Sequence, residues 1–331
     1  MRLQFTTLAA IAIAAMSSPA AAQGLKADTQ GTINFPTLRF ETTPGALGGT
    51  PGTAETGRAI LRLPKSDGQK APLVVLVHTI GGYLDQNEGW FARELNKVGF
   101  ATAEIDSFGP RNARDVWKTG GSWPNATMSS DALNLLKSLQ SHPGIDTARA
   151  AVVGFSLGGE VAHLTAFKAL ADKVAPDGPR FAAHVPFYPP CAVTVSPAGP
   201  GYTGAPILMV LAEKDDEGPP ARCRALAEIY KAKDRPAPLD FIVYPGAYHA
   251  FTNPTVGRPH FEAAAASTAT CATSVLGPGG GEIRDGAIKP FDAAARAECV
   301  KHKGYSMGYD AKIRDQSLAD LIAFLNKTLR G

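Results

Sequence analysis

The stretch Gly154-Phe155-Ser156-Leu157-Gly158-Gly159 narrows the fold more than any other part of the chain. Residues 150–153 before it are a short apolar run of Ala and Val, which predicts a buried strand. Residues 160–170 after it carry apolar side chains at helical spacing. Strand, Gly-x-Ser-x-Gly and helix in that order predict a turn too tight for side chains at its flanking positions. The serine is then held in a strained conformation with its hydroxyl above the sheet edge. The N–H of Leu157 opens the helix and can donate to an oxyanion, helped by the helix dipole. A Gly/Ser-rich turn without chemistry fits the bare pattern too, so the reading depends on partners found elsewhere in the chain.

The first residues read as a leader rather than as fold. Met1-Arg2 is a small basic start, residues 8–16 are an apolar run, and Ala20-Ala21-Ala22 is an Ala-x-Ala cleavage signature. We expect a signal peptide over residues 1–22 and an exported product, periplasmic or extracellular. The apolar run is too short to span a bilayer, and no later stretch is long enough to span one. Beyond the leader lie about 310 residues, within reach of a single α/β domain with an irregular excursion at residues 253–305. The formal charge is +3, one unit of which is Arg2, too balanced to argue for nucleic acid or an acidic membrane surface. The four cysteines all lie in the second half. In an exported chain an even count predicts disulfides, and the order of elements favours Cys191–Cys223 and Cys271–Cys299. No Cys-x-x-Cys pair supports zinc, and no metal or organic cofactor is expected.

Along the chain, residues 23–57 read as an irregular lead with a strand near 37–41. Residues 58–63 mix polar and apolar types, as a half-buried edge strand would. Residues 73–77 are apolar and rich in Val, the signature of a central parallel strand. That run ends in His78-Thr79-Ile80-Gly81-Gly82, whose paired glycines allow close approach to a substrate oxygen. His78 lies on the wrong element for a base and is read as orienting this loop. Residues 88–98 predict an amphipathic helix closed by Gly99. A strand at 100–105 leads into a loop with Arg111, Trp117 and Trp123. Arg111 could hold a substrate carboxylate or tie the loop to Asp106. A helix at 131–139, capped by Ser129 or Ser130, precedes the serine turn. Strands follow at 181–187, 206–211 and 239–244, with a helix at 220–231 and a closing helix at 315–329. Strands alternating with helices predict a mostly parallel, doubly wound sheet flanked by helices.

A serine hydroxyl needs a base, and the base needs a carboxylate to fix its tautomer. Asp215 follows the 206–211 strand, and His249 follows the 239–244 strand. Serine, acid and histidine in that order, each at a strand's carboxyl end, is the arrangement of the α/β-hydrolase fold. Asp216 and Glu217 compete with Asp215, which we prefer as nearest the strand end. His260 and His302 lie in the excursion, while His142, His163 and His184 are read as structural.

These segments resemble the dienelactone hydrolase family. The resemblance rests on residues 154–159, Asp-Ser-Phe-Gly-Pro-Arg at 106–111, Glu-Lys-Asp at 213–215, and Tyr-Pro-Gly-Ala-Tyr-His-Ala-Phe at 244–251. It spans roughly residues 71–251 and the final helix. It implies an α/β-hydrolase with Ser156 as nucleophile, Asp215 as acid and His249 as base. It also implies oxyanion donors at the N–H groups of Leu157 and Ile80 and places Arg111 where one substrate-gripping arginine is expected; Tyr248, beside His249, is taken as a further tentative substrate contact. The chain departs from the founding members in three ways. Serine replaces their cysteine nucleophile, Thr79 stands where they carry a glutamate, and Asn253 stands where they carry a second substrate-gripping arginine. The hydrolytic chemistry carries over, whereas the dienelactone substrate does not.

The expected function is a secreted serine hydrolase acting on a small carboxylic ester or lactone through an acyl-enzyme, with a monomer favoured. An acyltransferase or peptidase on the same triad is the nearest alternative. A non-catalytic exported binding protein of this fold is the alternative from another class.

Overall fold

The computed structural model describes residues 25–65, 68–113, 116, 125–231 and 239–331. The leader at 1–22, Trp117 and Trp123 lie outside these residues. Strands β1 (Gly31–Arg39), β2 (Thr53–Arg62), β3 (Ala71–Val77), β4 (Ala101–Ile105), β5 (Ile145–Phe155), β6 (Ala183–Phe187), β8 (Ile207–Ala212) and β9 (Leu239–Tyr244) form the main sheet. Their order is β1-β2-β4-β3-β5-β6-β8-β9. Pairing is parallel from β4 to β9 and antiparallel for β1–β2 and β2–β4. The mixed α/β architecture is thus a large, mostly parallel sheet flanked by helices. Strands β4, β6 and β8 are buried at every position, and β8 accordingly reads as a continuous apolar run. Each large apolar side chain removed from water there stabilises the fold by ~1.5–3 kcal/mol.

The chain steps from β3 outward to β4, then returns across β3 to β5. This reversal opens a crevice at the carboxyl ends of β3 and β5, the place where open α/β sheets bind ligands. Helix α1 (Thr43–Leu47) lies in the lead, and α2 (Glu88–Lys97) joins β3 to β4. Helices α3 (Asn125–Leu139), α4 (Leu157–Leu164) and α5 (Lys168–Val174) bracket β5 in sequence, α6 (Pro220–Lys231) joins β8 to β9, and α8 (Ala311–Leu329) closes the chain.

Three local expectations need correction. The lead is a regular antiparallel pair, β1 with β2, rather than a loop with a strand at 37–41. Its inward positions, Ile33, Phe35 and Thr37, alternate with exposed Thr32, Asn34 and Pro36, which conceal the strand. Helix α3 starts at Asn125, not near 131. Ser129 and Ser130 are buried inside it and cap nothing, and the hydroxyl of Ser130 accepts from the Leu38 N–H of β1. The helix after Ser156 breaks into α4 and α5. Around the break, Lys168 N–H donates to the Gly201 carbonyl and Thr203 N–H to the Ala166 carbonyl, so part of this backbone pairs with a distant segment.

Residues 253–305 are ordered rather than irregular. Strand β7 (Val193–Val195) pairs with β11 (Thr273–Leu276), which continues through β12 (Gly281–Arg284) to β13 (Ala287–Lys289). Strand β10 (His260–Ala266) pairs with β14 (Lys303–Met307), and α7 (Ala293–Cys299) lies between β13 and β14 in sequence. Two disulfides, Cys191–Cys223 and Cys271–Cys299, staple this part of the chain. Among the described residues no helix is long and apolar enough to cross a membrane.

Candidate active site

Strand β5 delivers Ser156 at a backbone φ of 54° and ψ of −116°, a conformation that costs a non-glycine residue on the order of 1–3 kcal/mol. Packing imposes this conformation. A Cβ on Gly154 would overlap the Gly158 carbonyl, one on Gly158 would overlap the Val77 carbonyl, and one on Gly159 would press on the Phe187 carbonyl. Ser156 N–H donates to Phe187 O of the neighbouring strand at 3.0 Å. The turn is therefore fixed by contacts of main chain with main chain on both sides of β5.

The Ser156 hydroxyl lies 2.8 Å from Nε2 of His249, and His249 Nδ1 lies 2.9 Å from Oδ2 of Asp215. These side chains come from the ends of β5, β9 and β8, and all three residues are buried. Oδ1 of Asp215 accepts from the N–H groups of Glu217 and Gly218, so the carboxylate is oriented from both sides. Burial by itself lowers the His249 pKa. The charge and hydrogen bond of Asp215 outweigh that, and His249 ends above its ordinary value of 6.5. The two other acids of the loop have structural partners. Asp216 accepts from Ser306 N–H and Oγ of β14 at 2.7 and 2.9 Å, and Glu217 holds Ser267 and Thr268.

The loop after β3 faces the same crevice. Gly81 and Gly82 N–H groups are satisfied by the side chain and carbonyl of Thr79. His78 Nδ1 lies 2.6 Å from the Thr79 carbonyl, and its Nε2 accepts from Ser107 N–H, which fixes the tautomer and ties the loop to the end of β4. Burial lowers the His78 pKa and keeps this accepting nitrogen unprotonated. His163 and His184 are also buried. Burial drives them down to about 3 and about 4, consistent with neutral packing residues.

Two cavities meet at Ser156. The first, about 310 Å³, contains His249, Ala250, Asn253, Glu262 and Met307; the second, about 230 Å³, contains Leu157, Glu160, Ala192, Val193 and Arg296. Ile80, Ser156 and Tyr305 line both. Tyr305 sits edge-on to His249, with ring centroids 5.0 Å apart, and so forms a wall against this imidazole. Nothing in the sequence pointed to Tyr305, which reaches the crevice on β14 through that strand's pairing with β10 and its contacts with Asp216 and His249.

The two tentative substrate contacts are not in this arrangement. Arg111 makes a two-pronged contact with Asp131 at 2.7 and 2.9 Å and a third with Glu55, and it lines a separate cavity with Arg39 and Arg58. It does not tie to Asp106, which is paired with Arg58. Asp131 was read only as the start of a helix, and nothing local marks it as this arginine's partner. Tyr248 lies against the ammonium of Lys214 and lines neither cavity at Ser156, although it adjoins His249 in sequence.

The sequence matches the model of the dienelactone hydrolase family over residues 58–278, more than half of the chain. The chain belongs to the dienelactone hydrolase family. Membership makes it a hydrolase acting on ester bonds. No curated protein matches it. Among solved structures it is similar to a Klebsiella pneumoniae protein assigned as a dienelactone hydrolase, at 20% identity and a TM-score of 0.47, covering 67% of this chain and 88% of that one. It is also similar to Thermogutta terrifontis esterase 2, at 15% identity and a TM-score of 0.46, covering 60% and 81%. Est1E of Butyrivibrio proteoclasticus stands at 18% and 0.41, covering 59% and 86%. Likenesses this distant carry no argument about the substrate. The family match ends at residue 278, so α7, β14 and Tyr305 lie beyond it.

Proposed function

We propose that this family member is an exported serine carboxylesterase in which Ser156 is the nucleophile, His249 the base and Asp215 the acid that orients it. The observation that carries the reading is the unbroken line from Ser156 Oγ through His249 to Asp215, with both bonds under 3 Å. His249 takes the proton of Ser156 as the oxygen attacks the ester carbonyl. The oxyanion forms against the N–H groups of Leu157 and Ile80, at the start of α4 and in the loop braced by His78. His249 then protonates the leaving alkoxide, and water releases the acyl group by the reverse sequence. The substrate is a small ester or lactone, since cavities of about 310 and 230 Å³ lie at or below the low end of small-molecule pockets, ~300–1,000 Å³. Export is supported by the leader motif and by two disulfides, which persist in oxidising compartments.

The test is the hydrolysis of short p-nitrophenyl esters by the mature protein and its Ser156→Ala variant. We expect turnover by the first and none above background by the second. Full activity in Ser156→Ala refutes the assignment. Preferential transfer of the acyl group to an added alcohol would make the protein an acyltransferase instead.

A further inference from the structure

The two cavities differ in which catalytic group they contain. His249 lines the first and not the second, whereas Leu157 lines the second and not the first. In ester cleavage the leaving oxygen must lie beside the group that protonates it. The alcohol therefore belongs in the His249 compartment and the acyl group in the Leu157 compartment, an assignment that rests on the serine hydrolase reading. The acyl compartment has apolar walls at Pro190, Ala192, Val193 and Ala266, and Arg296 joins them.

The charges along that wall are unequally satisfied. Glu160 accepts from the N–H groups of Ala192 and Val193 and from Asn125, and Glu217 accepts from Ser267 and Thr268. Both carboxylates are occupied. Arg296 is not: among the described residues no carboxylate lies within ion-pair distance of it. Its Nη1 is turned into the protein, without an acceptor among the described residues, so the cavity meets the rest of this side chain. A guanidinium with no carboxylate partner at a cavity wall leaves its charge to an anionic ligand. Its position is also held. The Asp292 side chain caps the start of α7, and Cys299 anchors the other end to Cys271. Lys303, exposed and likewise without a carboxylate partner, stands on the rim of the same cavity.

We propose that the Leu157-side compartment takes an acyl group that ends in a carboxylate, seated on Arg296 with Lys303 at the mouth. The preferred substrates are then half-esters of short dicarboxylic acids. Water cleaves the ester bond, releasing the alcohol and a dicarboxylate, and the free carboxylate takes no part in bond making. Arg296 sets specificity and stays outside the chemistry.

The test compares monomethyl adipate with methyl hexanoate, followed by pH-stat on the whole disulfide-bonded protein, and measures adipate binding by calorimetry. The wild type should prefer the half-ester in kcat/KM. Arg296→Met should lower kcat/KM for the half-ester by about ten- to a hundredfold, mostly through KM. Methyl hexanoate should lose much less than the half-ester, and an unchanged thermal scan reports that the variant is folded. Arg296→Lys should recover part of the loss, and adipate binding should vanish in Arg296→Met. A wild type that prefers the neutral ester, or an Arg296→Met that slows both esters equally, overturns the proposal and leaves the hydrolase reading intact. Arg296-dependent adipate binding without hydrolysis of either ester keeps the anion site and removes the hydrolase reading.

Discussion

The two halves of the site are held by different kinds of contact. In the half carried by the sheet, Ser156 and Leu157 are placed by backbone against backbone, while the loop after β3 is braced by the side chains of His78 and Thr79. Three glycines leave no room for a side chain around Ser156, and Ser156 N–H is tied to Phe187 O. In the half carried by residues 253–307, the strands pair with one another and with β7, and side chains tie them to the site. Asp216 pins Ser306, Glu217 pins Ser267 and Thr268, and Arg222 gathers the carbonyls of Thr268, Ala269 and Cys271. Main-chain packing admits no gradual change, because any Cβ displaces a strand. Side-chain anchors can be exchanged one at a time. The elbow glycines thus sit where substitution breaks the fold, and the side chains that anchor the walls sit where substitution is tolerated.

The contrast can be broken at several points. The largest effect is expected in the sheet half. Ser156→Ala should lower kcat by ~10³- to 10⁶-fold with the fold intact, read by ester turnover and a thermal scan. Asp215→Asn should cost ~10³- to 10⁴-fold. It should also shift the acid limb of the pH–rate profile. In the proposed mechanism His249 acts as base only when neutral, and its raised pKa means that activity begins to fall on acidification while the pH is still above the ordinary histidine value of 6.5. Without the Asp215 charge, burial dominates and the limb should move to lower pH. A limb that stays put contradicts the pairing of Asp215 with His249.

Effects in the insert should be smaller and should appear in selectivity. Asp216→Asn, one residue from the acid, weakens the anchor of β14 and should change kcat by less than about tenfold, while KM rises. If Asp216→Asn matched Asp215→Asn, the two neighbours would have to exchange roles. Tyr305→Ala joins the two compartments and should alter the ranking of bulky against small esters by about ten- to thirtyfold, with small esters still cleaved. Loss of all activity in Tyr305→Ala would place that ring in the chemistry and erase the distinction between the halves. The smallest effect is on stability. Ser156→Gly relieves the strained φ of 54° and should raise Tm by a few degrees, equivalent to about 1 kcal/mol.

The sheet half was legible because its signals are local. Residues 73–77 and 150–153 are continuous apolar runs, the elbow glycines are adjacent, and Ser156, Asp215 and His249 each follow a strand. The insert was not, since its strands are short and their partners are far apart. Val193–Val195 is three residues long and pairs with residues beyond 270, and His260–Ala266 meets a strand some forty residues later in the chain. Polar residues with distant partners misled in the same way. Ser130 looks like a cap and Asp131 like a helix start, yet with Thr127 they are buried as partners of β1, of Phe40 just beyond it and of Arg111. Arg111 was placed by a motif that fixes its position in the chain, while its side chain follows Asp131 and Glu55, which no local pattern connects to it.

The most direct measurement of the central claim is covalent. The mature protein, its Ser156→Ala variant and its His249→Gln variant would be treated with a fluorophosphonate, and the adduct located by peptide mass spectrometry. The account predicts a single adduct on Ser156 in the wild type, none in Ser156→Ala, and labelling slowed by at least about a thousandfold in His249→Gln, where the base is gone. An adduct on another residue, or ester turnover by a protein whose Ser156 is never labelled, would contradict it.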